Sequence, residues 1–208
     1  MRGTRPYLLA TRSSGKLREL TMLFAQAGIE VVTLDGAGIA ESRDEDAIEV
    51  FSTFEENAVA KARYFHEKSG LATFADDSGP EVFALDGAPG VRSKRWSGRA
   101  DLSGQALDDA NNAELARALG PFVDRRARYV CAAALASGEG TIVRRGVVEG
   151  RVVDEGRGSN GFGYDPFFFS SELGVTFGEA SLEEKERVSH RARAFRELLA
   201  ALGTRVRR

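Results

Sequence analysis

The spacing of apolar residues predicts that short strands and amphipathic helices alternate through the first third of the chain. A short apolar run at 7–11 predicts a buried strand. Apolar side chains then recur at helical spacing over 17–27, and Gly28 ends that helix. A second strand is predicted at 31–34, followed by an acidic, glycine-rich surface loop over 35–50.

A second helix and a third strand follow this loop. Thr53, with Glu56 three residues later, fits a capping box, which predicts a helix that begins there and ends at Gly70. The apolar run 71–75 predicts a strand. The run 76–80 is expected to leave that strand, because its proline has no N–H to donate to a ladder.

The second half of the chain combines further strands with two helices. Alternation from Tyr129 to Leu135 predicts a strand that is buried on one face. Shorter apolar runs and helical spacings predict strands at 142–143, 147–148 and 167–169 and helices over 107–119 and 188–202. Because the two kinds of element are mixed rather than strictly alternating, the pattern favours a mixed sheet in an α/β or α+β fold.

Composition and charge are those of an ordinary globular chain. Of the 208 residues, 42% are hydrophobic and 29% are charged, which suffices for a sizeable core without crosslinks. Lys and Arg number 29 against 31 Asp and Glu, and the net charge of −2 argues against a general nucleic-acid coat. The basic tail of Arg205, Arg207 and Arg208 is too short to reverse this balance.

The same counts exclude several kinds of site. The single Cys131 excludes an internal disulfide and a multi-cysteine metal site, and only two histidines are present, which excludes a His-rich cluster. No apolar run approaches the roughly 20 residues that span a bilayer. The N-terminal segment lacks the apolar core of a signal peptide. We therefore expect a cytoplasmic protein that does not bind membranes.

The run Ser14-Gly15-Lys16 invites a P-loop interpretation, but the pattern fails. Ala10 stands where the first glycine should be, and Leu17 stands where Ser or Thr would hold Mg²⁺. What remains is a strand, a small polar loop and a helix start, which can bind an anion through backbone N–H groups. A capped helix with a solvated lysine is an equally weighted alternative.

Three glycines, Gly156, Gly158 and Gly161, match the dinucleotide-binding pattern G-x-G-x-x-G. That pattern must open a helix, whereas Phe162–Pro166 and a phenylalanine run follow here, so we reject dinucleotide binding. The glycines would still let a ligand lie flat against the backbone. A mobile surface loop is the alternative, which the embedded aromatic residues disfavour.

Asp76 and Asp77 lie at the end of a predicted strand, where the sites of α/β proteins collect. Adjacent carboxylates suit a hard cation such as Mg²⁺ and the activation of water beside it. Glu49, which precedes the second helix, is placed to reach such a metal. An acidic turn at Asp76–Gly79 is at least as probable from this motif alone.

The last constellation comprises Lys185, Ser189, His190 and Arg191. On one continuous helix Lys185 and His190 would lie about 140° apart, so they can face one ligand only if the helix breaks. Ser189 is a good N-cap for a new helix, whose positive end would attract phosphate or a purine edge. A continuous helix that Ser181 caps, with a basic exposed face, is the alternative.

Taken together and in order, these motifs resemble the inosine triphosphate pyrophosphatase family, the XTP/dITP diphosphatases. Five matching segments carry the resemblance and reach from the first strand to the last helix: residues 8–20, 53–63, 74–98, 161–169 and 182–198. Each segment is short, but the ordered set is specific to the family.

The resemblance implies a fold and an activity. It implies one domain over 1–208, an α/β fold whose long mixed sheet has flanking helices, and two lobes around a central substrate cleft. Members hydrolyse nonstandard purine nucleoside triphosphates (ITP, dITP, XTP, dXTP) to the monophosphate and pyrophosphate, require Mg²⁺, and are usually homodimers. This activity removes altered nucleotides from the cellular pool.

The resemblance also implies roles for individual residues. Asp77 matches the proton acceptor that activates water and a metal ligand, and Asp76 matches a further metal ligand. Glu49 is the nearest match to the second acidic ligand, although members have an acidic pair before Thr-Gly where this chain reads Ile-Glu-Val-Phe over 48–51. The matches to the triphosphate-binding positions are Thr11, Arg12, Ser13, Ser14, Gly15 and Lys16, with Lys61 as a further phosphate contact. The matches to the base- and substrate-binding positions are Ser78, Phe162, Gly163, Tyr164, Asp165, Lys185, His190 and Arg191.

The chain departs from the family pattern in its first loop, and this keeps two alternatives open. Arg12-Ser13 replaces the usual Gly-Asn, so Arg12 either adds a phosphate contact or obstructs the loop, and Pro80 replaces a usual Leu. One alternative function is a nucleotide-binding protein that has lost efficient catalysis. The other is a nucleic-acid-binding module that uses exposed cations and an aromatic side chain: Lys16, Lys61, Arg95, Trp96 and the basic tail.

Overall fold

The protein folds into six strands and five α-helices within residues 6–205, the part of the chain that the computed structural model describes. The strands are β1 (Tyr7–Leu9), β2 (Val31–Thr33), β3 (Thr73–Val82), β4 (Arg126–Ser137), β5 (Gly140–Val152) and β6 (Phe168–Ser170). The helices are α1 (Ser14–Gln26), α2 (Phe54–Ser69), α3 (Gly104–Leu119), α4 (Leu182–Val188) and α5 (His190–Arg205). Arg207, Arg208 and the side chain of Arg205, named above in the basic tail, lie outside the described residues.

The six strands form one mixed sheet in the order β2-β1-β3-β4-β5-β6. β1 pairs in parallel with both β2 and β3, whereas β5 and β6 are antiparallel. The expected α/β fold with a mixed sheet is therefore confirmed. The expected loop over 35–50 contains a short 3₁₀ helix, Arg43–Ala47, which Ser42 caps.

Local sequence signals account for the helix ends. The Ser13 side chain accepts a hydrogen bond from the Lys16 N–H at the start of α1. At the start of α2, the Thr53 side chain accepts a hydrogen bond from the Glu56 N–H, as the predicted capping box requires. The Glu56 carboxylate accepts from the Thr53 hydroxyl, whereas in a capping box it would accept from the Thr53 backbone N–H. Gly70 ends α2 with a left-handed φ of 69°.

The expected end of the third strand before Pro80 is wrong, because β3 continues through Asp76 and Pro80 to Val82. The register of β1 against β3 reaches only Phe74. Pro80 therefore lies beyond the paired end of β1, where its missing N–H costs no hydrogen bond to that strand. As a consequence, Asp76 and Asp77 lie on an extended strand and not in a turn.

Strand β4 is also more buried than the alternation of its residues predicts. Tyr129, Cys131 and Leu135 are buried as expected, but so are the intervening Val130 and Ala132. The prediction of a strand buried on one face is wrong because small apolar residues occupy the alternate positions. The two runs predicted within 142–148 belong to the single long strand β5.

The chain divides into two compact units. The first unit comprises residues 1–77, 131–146 and 192–208, and its core packs the aromatic rings of Phe24, Phe74 and Phe195. The ring centroids of Phe24 and Phe74 lie 4.8 Å apart, and those of Phe24 and Phe195 lie 5.6 Å apart. This core supports the end of β1 and the start of α1.

The second unit comprises residues 78–130 and 147–191. Its core packs the rings of Tyr129, Phe168 and Phe177, with centroid separations of 4.7 to 6.0 Å. None of the described helices is long and apolar enough to cross a membrane.

Candidate functional site

In the first unit, Asp77 lies on β3 in a partly buried position among polar partners. The Asn57 side chain on α2 donates a hydrogen bond of 2.9 Å to Asp77 Oδ2. Burial raises the pKa of the Asp77 carboxyl above its usual value, the positive charges of Lys16 and Lys61 oppose this rise, and the negative charge of Glu49 adds to it. A carboxylate with a raised pKa is a better proton acceptor near neutral pH.

The neighbouring Asp76 is fully buried and paired with a lysine. Lys16 Nζ lies 3.0 Å from Asp76 Oδ2, and the Cys131 thiol donates to the same oxygen at 3.8 Å. The family resemblance assigned Lys16 to a phosphate and Asp76 to a metal ion. The structure brings these residues together across 60 positions of sequence, because β1 and β3 are adjacent in the sheet.

Lys61 on α2 forms a short ion pair with Glu49. Burial lowers the pKa of Lys61, but the attraction of Glu49, Asp76 and Asp77 outweighs burial, and the pKa of Lys61 is raised. All three predicted metal ligands therefore act on one ammonium group. The first unit thus holds three carboxylates with two lysines, Lys16 and Lys61.

The predicted phosphate loop lies between β1 and α1. Thr11 Oγ1 accepts a hydrogen bond from the Ser13 N–H at 3.2 Å, and Ser13 in turn caps α1. Ser14 and Gly15 form the first turn, where the N–H groups of a helix have no intrahelical acceptor. Such a turn can bind an anion when a cation stands beside it, as Lys16 does here.

The Arg12 guanidinium is directed toward the following loop. It donates to both Glu45 carboxylate oxygens, at 3.2 Å and 2.8 Å, to Asp35 at 3.1 Å and to the Ile39 carbonyl at 3.0 Å. The hydrogen bonds with Glu45 raise the pKa of Arg12 and lower that of Glu45. These contacts give Arg12 a role that neither of the two alternatives named, which is to hold the following loop through Asp35, Ile39 and Glu45.

In the second unit, residues 162–165 form a tight turn beside a buried lysine. The Phe162 N–H donates to Asp165 Oδ2 at 2.8 Å, and Lys185 Nζ lies 2.5 Å from the same oxygen. Lys185 Nζ also lies 5.0 Å from the centroid of the Phe162 ring, within the range of a cation–π contact. Burial raises the pKa of the Tyr164 hydroxyl, which donates to the Ser93 carbonyl at 2.8 Å.

Of the two alternatives for this segment, the broken helix is the one present, because α4 ends at Val188, Ser189 is extended and α5 begins at His190. The His190 ring stacks on Tyr129 with centroids 4.4 Å apart. Arg191 donates to the Ser78 hydroxyl at 2.7 Å and lies 5.5 Å from the Phe162 ring centroid. The second unit thus gathers Phe162, two cations and a stacked histidine.

Sequence reasoning missed residues that hold these groups in place. They are Asn57 on Asp77, Tyr129 under His190, and Asp108 and Asn112 on the backbone of Gly163. Asn57 had a local signal, since it is a polar residue in a buried stripe of α2. The other three had none, because each contacts a residue 51 or more positions away in the sequence.

The residues of the acidic cluster can be compared with the donors that a metal ion requires. Among the described residues, no group of three or more His, Cys, Asp and Glu side chains is arranged to hold a metal ion by itself. Carboxylates that are also close to lysines fit Mg²⁺, which binds through one or two protein carboxylates together with substrate phosphates and water. Asp76 is fully buried, which leaves Asp77 and Glu49 as the more exposed of the three predicted ligands.

Comparison with known proteins gives a consistent result. The model of the Ham1 family matches residues 7–201. The dITP/XTP pyrophosphatase of Bordetella parapertussis is 44% identical over 95% of this chain and 91% of that protein. The dITP/XTP pyrophosphatase of Mycolicibacterium paratuberculosis is 45% identical over 97% of this chain and 98% of that protein.

A solved structure agrees with the sequence comparisons. The HAM1 protein from Coxiella burnetii is 33% identical and superposes with a TM-score of 0.81, covering 97% of this chain and 100% of that one. The similarity extends over the mixed sheet and over both sets of candidate residues. The chain belongs to the Ham1 family.

Proposed function

We propose that this protein is a nucleoside triphosphate pyrophosphatase that hydrolyses nonstandard purine nucleotides, ITP, dITP, XTP and dXTP, to the monophosphate and pyrophosphate. The names of its relatives support the reaction and the substrate class. The observation that carries the proposal is the partly buried Asp77 carboxylate, within electrostatic reach of Lys16 and Lys61 beside the helix start at Ser14. The cytoplasmic location, the homodimer and the clearance of altered nucleotides remain predictions from the family resemblance.

We assign the phosphate chemistry to the first unit. The N–H groups of the first turn of α1 bind phosphate oxygens, and Lys16 and Lys61 offset their negative charge. Asp77 accepts a proton from water as the water oxygen attacks phosphorus and the anhydride bond between the α- and β-phosphates breaks. Asn57 orients the carboxylate through its hydrogen bond to Oδ2.

Mg²⁺ fits the same carboxylates, with Asp77 and Glu49 as its proposed ligands and Asp76 as a further acidic neighbour. When bound, it supplies positive charge against the triphosphate and a Lewis acid at its oxygens. Glu49 pairs with Lys61, and a metal ion would bind this carboxylate in its ionised form.

We assign selection of the base to the second unit. Phe162 offers an aromatic ring for stacking on a purine, and Lys185, His190 and Arg191 offer hydrogen-bond donors. A 6-oxo group accepts from such donors, whereas the 6-amino group of adenine would set donor against donor. This is the physical basis for discrimination against adenine, whereas the preference for hypoxanthine and xanthine over guanine is expected from the family resemblance.

The test is pyrophosphate release with Mg²⁺ from ITP, XTP, ATP and GTP, run in parallel with wild type, Asp77→Asn and Asp101→Asn. Asp101 is the matched control, because it is an exposed carboxylate that pairs only with nearby Arg99 in the contacts described. We expect rapid release from ITP and XTP, little from ATP and GTP, loss of release in Asp77→Asn, and wild-type rates in Asp101→Asn.

The second candidate is a binding protein without efficient catalysis, and the altered loop at Arg12-Ser13 is the observation that favours it. It predicts that calorimetry detects ITP binding while no pyrophosphate is released. That result from the wild-type protein would overturn the enzymatic proposal and leave the assignment of nucleotide binding intact.

A further inference from the structure

Two side chains of α3 hold the residue at the tip of the 162–165 turn by its backbone. The Gly163 N–H donates to Asp108 Oδ2 at 2.8 Å, and the Asn112 side-chain amide donates to the Gly163 carbonyl at 2.9 Å. Asp108 and Asn112 are four residues apart, so they lie on the same face of α3. Asn112 is buried, with 5% of its surface exposed. Both hydrogen-bonding groups of one peptide residue are therefore satisfied by one helix.

Gly163 is the point in this turn where such a clamp has most effect. Its φ of 62° is in the left-handed region, and glycine is the residue with the widest choice of other conformations. The neighbours are already fixed, since Phe162 is hydrogen-bonded to Asp165 and the Tyr164 hydroxyl donates to Ser93. The contacts of α3 thus remove the freedom that the glycine would otherwise give the turn.

The orientation of the turn sets the position of the Phe162 ring. That ring lies 5.0 Å from Lys185 Nζ and 5.5 Å from the Arg191 guanidinium carbon, so a small rotation about Gly163 changes both contacts. We propose that Asp108 and Asn112 are positioning residues for base recognition. Through Gly163 they hold the Phe162 ring at its position beside Lys185 and Arg191. This inference rests on the proposed function, because it assigns the base to this turn.

The roles of the two side chains differ in a way that isosteric substitutions separate. Asp108 acts as an acceptor, and the side-chain oxygen of an asparagine can replace it, so Asp108→Asn should retain the clamp and Asp108→Ala should lose it. Asn112 acts as a donor, which an ionised aspartate cannot be, so Asn112→Asp should leave the Gly163 carbonyl without its partner. Asn112→Leu removes the donor without adding a buried charge.

The experiment uses calorimetry to measure the affinity of wild type and of these four variants for two ligands. Inosine monophosphate carries the base, and inorganic pyrophosphate does not. We expect Asp108→Ala, Asn112→Asp and Asn112→Leu to bind inosine monophosphate roughly tenfold more weakly, the loss expected for one unsatisfied buried group. Their affinity for pyrophosphate should be unchanged. Asp108→Asn should match wild type for both ligands, and thermal melting identifies variants that fold.

The possible failures are distinguishable. If wild type binds inosine monophosphate, and the folded variants Asp108→Ala, Asn112→Asp and Asn112→Leu bind it equally well, the positioning role is overturned. The proposed function then stands. If those variants lose affinity for both ligands in parallel, α3 supports the fold in general and the positioning role is likewise overturned. If wild type binds neither ligand, the proposed function fails, and the inference that rests on it fails too.

Discussion

At the scale of single residues, Arg12 shows how a departure from a family pattern acquires a structural role. The sequence left open whether this arginine contacts phosphate or obstructs the loop. Its four hydrogen bonds reach Glu45, Asp35 and Ile39, all within the segment that leads to Glu49. A planar guanidinium that binds a carboxylate with two parallel hydrogen bonds fixes both partners in orientation.

The pairing of Arg12 with Glu45 predicts a pH-dependent contribution to stability. The pKa of Glu45 is held below its usual value of 4.5, chiefly by the hydrogen bond from Arg12. Because the folded-state pKa is depressed, the contribution is present above pH 4.5 and is lost as the pH falls through the folded value. A double-mutant cycle of Arg12→Ala and Glu45→Gln, measured by urea denaturation, should give a coupling free energy of about 1 kcal/mol at pH 7.

The same cycle at a pH well below 4.5 should give a coupling free energy near zero, because the carboxyl is then protonated in both states. A coupling energy that is equally large at low pH would show that packing of the arginine stem, and not the ion pair, stabilises the loop. Sequence alone could not predict this pair, since 33 residues separate its members and both are polar residues that a surface loop tolerates.

At the scale of elements, the sequence predicted helix ends well and strand extents poorly. Gly70 and Ser189 are local signals that the sequence offered, and each marks a helix boundary in the structure. β3 was predicted to stop before Pro80, because the cost of a proline depends on whether a partner strand faces its missing N–H. That fact belongs to the sheet and not to the segment.

Gly79, within β3, has no side chain, and the 90–93 segment therefore packs closely against the strand at this position. Adding one methyl group here should lower the stability of the fold strongly. A Cβ atom at Gly79 would lie 2.1 Å from Ser93 Oγ and 2.8 Å from the Gly90 carbonyl oxygen, and the second of these is backbone that cannot easily move. We expect Gly79→Ala to lower the free energy of unfolding by about 2 kcal/mol or more in urea denaturation.

The matched control for this substitution is Gly138→Ala. Gly138 lies between β4 and β5, and an added Cβ there meets nothing within 4 Å. Its φ lies outside the left-handed region. Gly138→Ala should therefore leave the free energy of unfolding nearly unchanged or slightly raised. Equal effects of the two alanine substitutions would contradict the close packing of Gly79 against the 90–93 segment.

At the scale of the whole molecule, periodicity and composition reached only a mixed α/β or α+β fold. The ordered motifs reached further, because the segments that resemble the family include every candidate residue except Glu49. What neither could provide were the contacts that orient those residues, such as Lys16 with Asp76 and Tyr129 with His190. These contacts arise from strand order and helix packing, which no single segment encodes.

The burial of Asp77 predicts that this carboxylate, although needed for the proposed function, lowers the free energy of unfolding. Burial raises the pKa of this carboxyl, which means that the ionised form present at neutral pH is less favourable in the folded chain than in the unfolded chain. Asparagine at this position removes the buried charge and keeps an oxygen that can accept from Asn57. We therefore expect Asp77→Asn, though inactive, to raise the free energy of unfolding at pH 7 by about 1 kcal/mol.

The measurement is urea denaturation of both proteins in the presence of a chelator, so that no divalent cation stabilises the wild type through its carboxylates. Asp101→Asn again serves as the control, and its midpoint should stay close to that of wild type because Asp101 is exposed. A lower stability of Asp77→Asn would mean that the attraction of Lys16 and Lys61 outweighs the cost of burial. The carboxylate would then stabilise the first unit, and the compromise between catalysis and stability inferred for Asp77 would not exist.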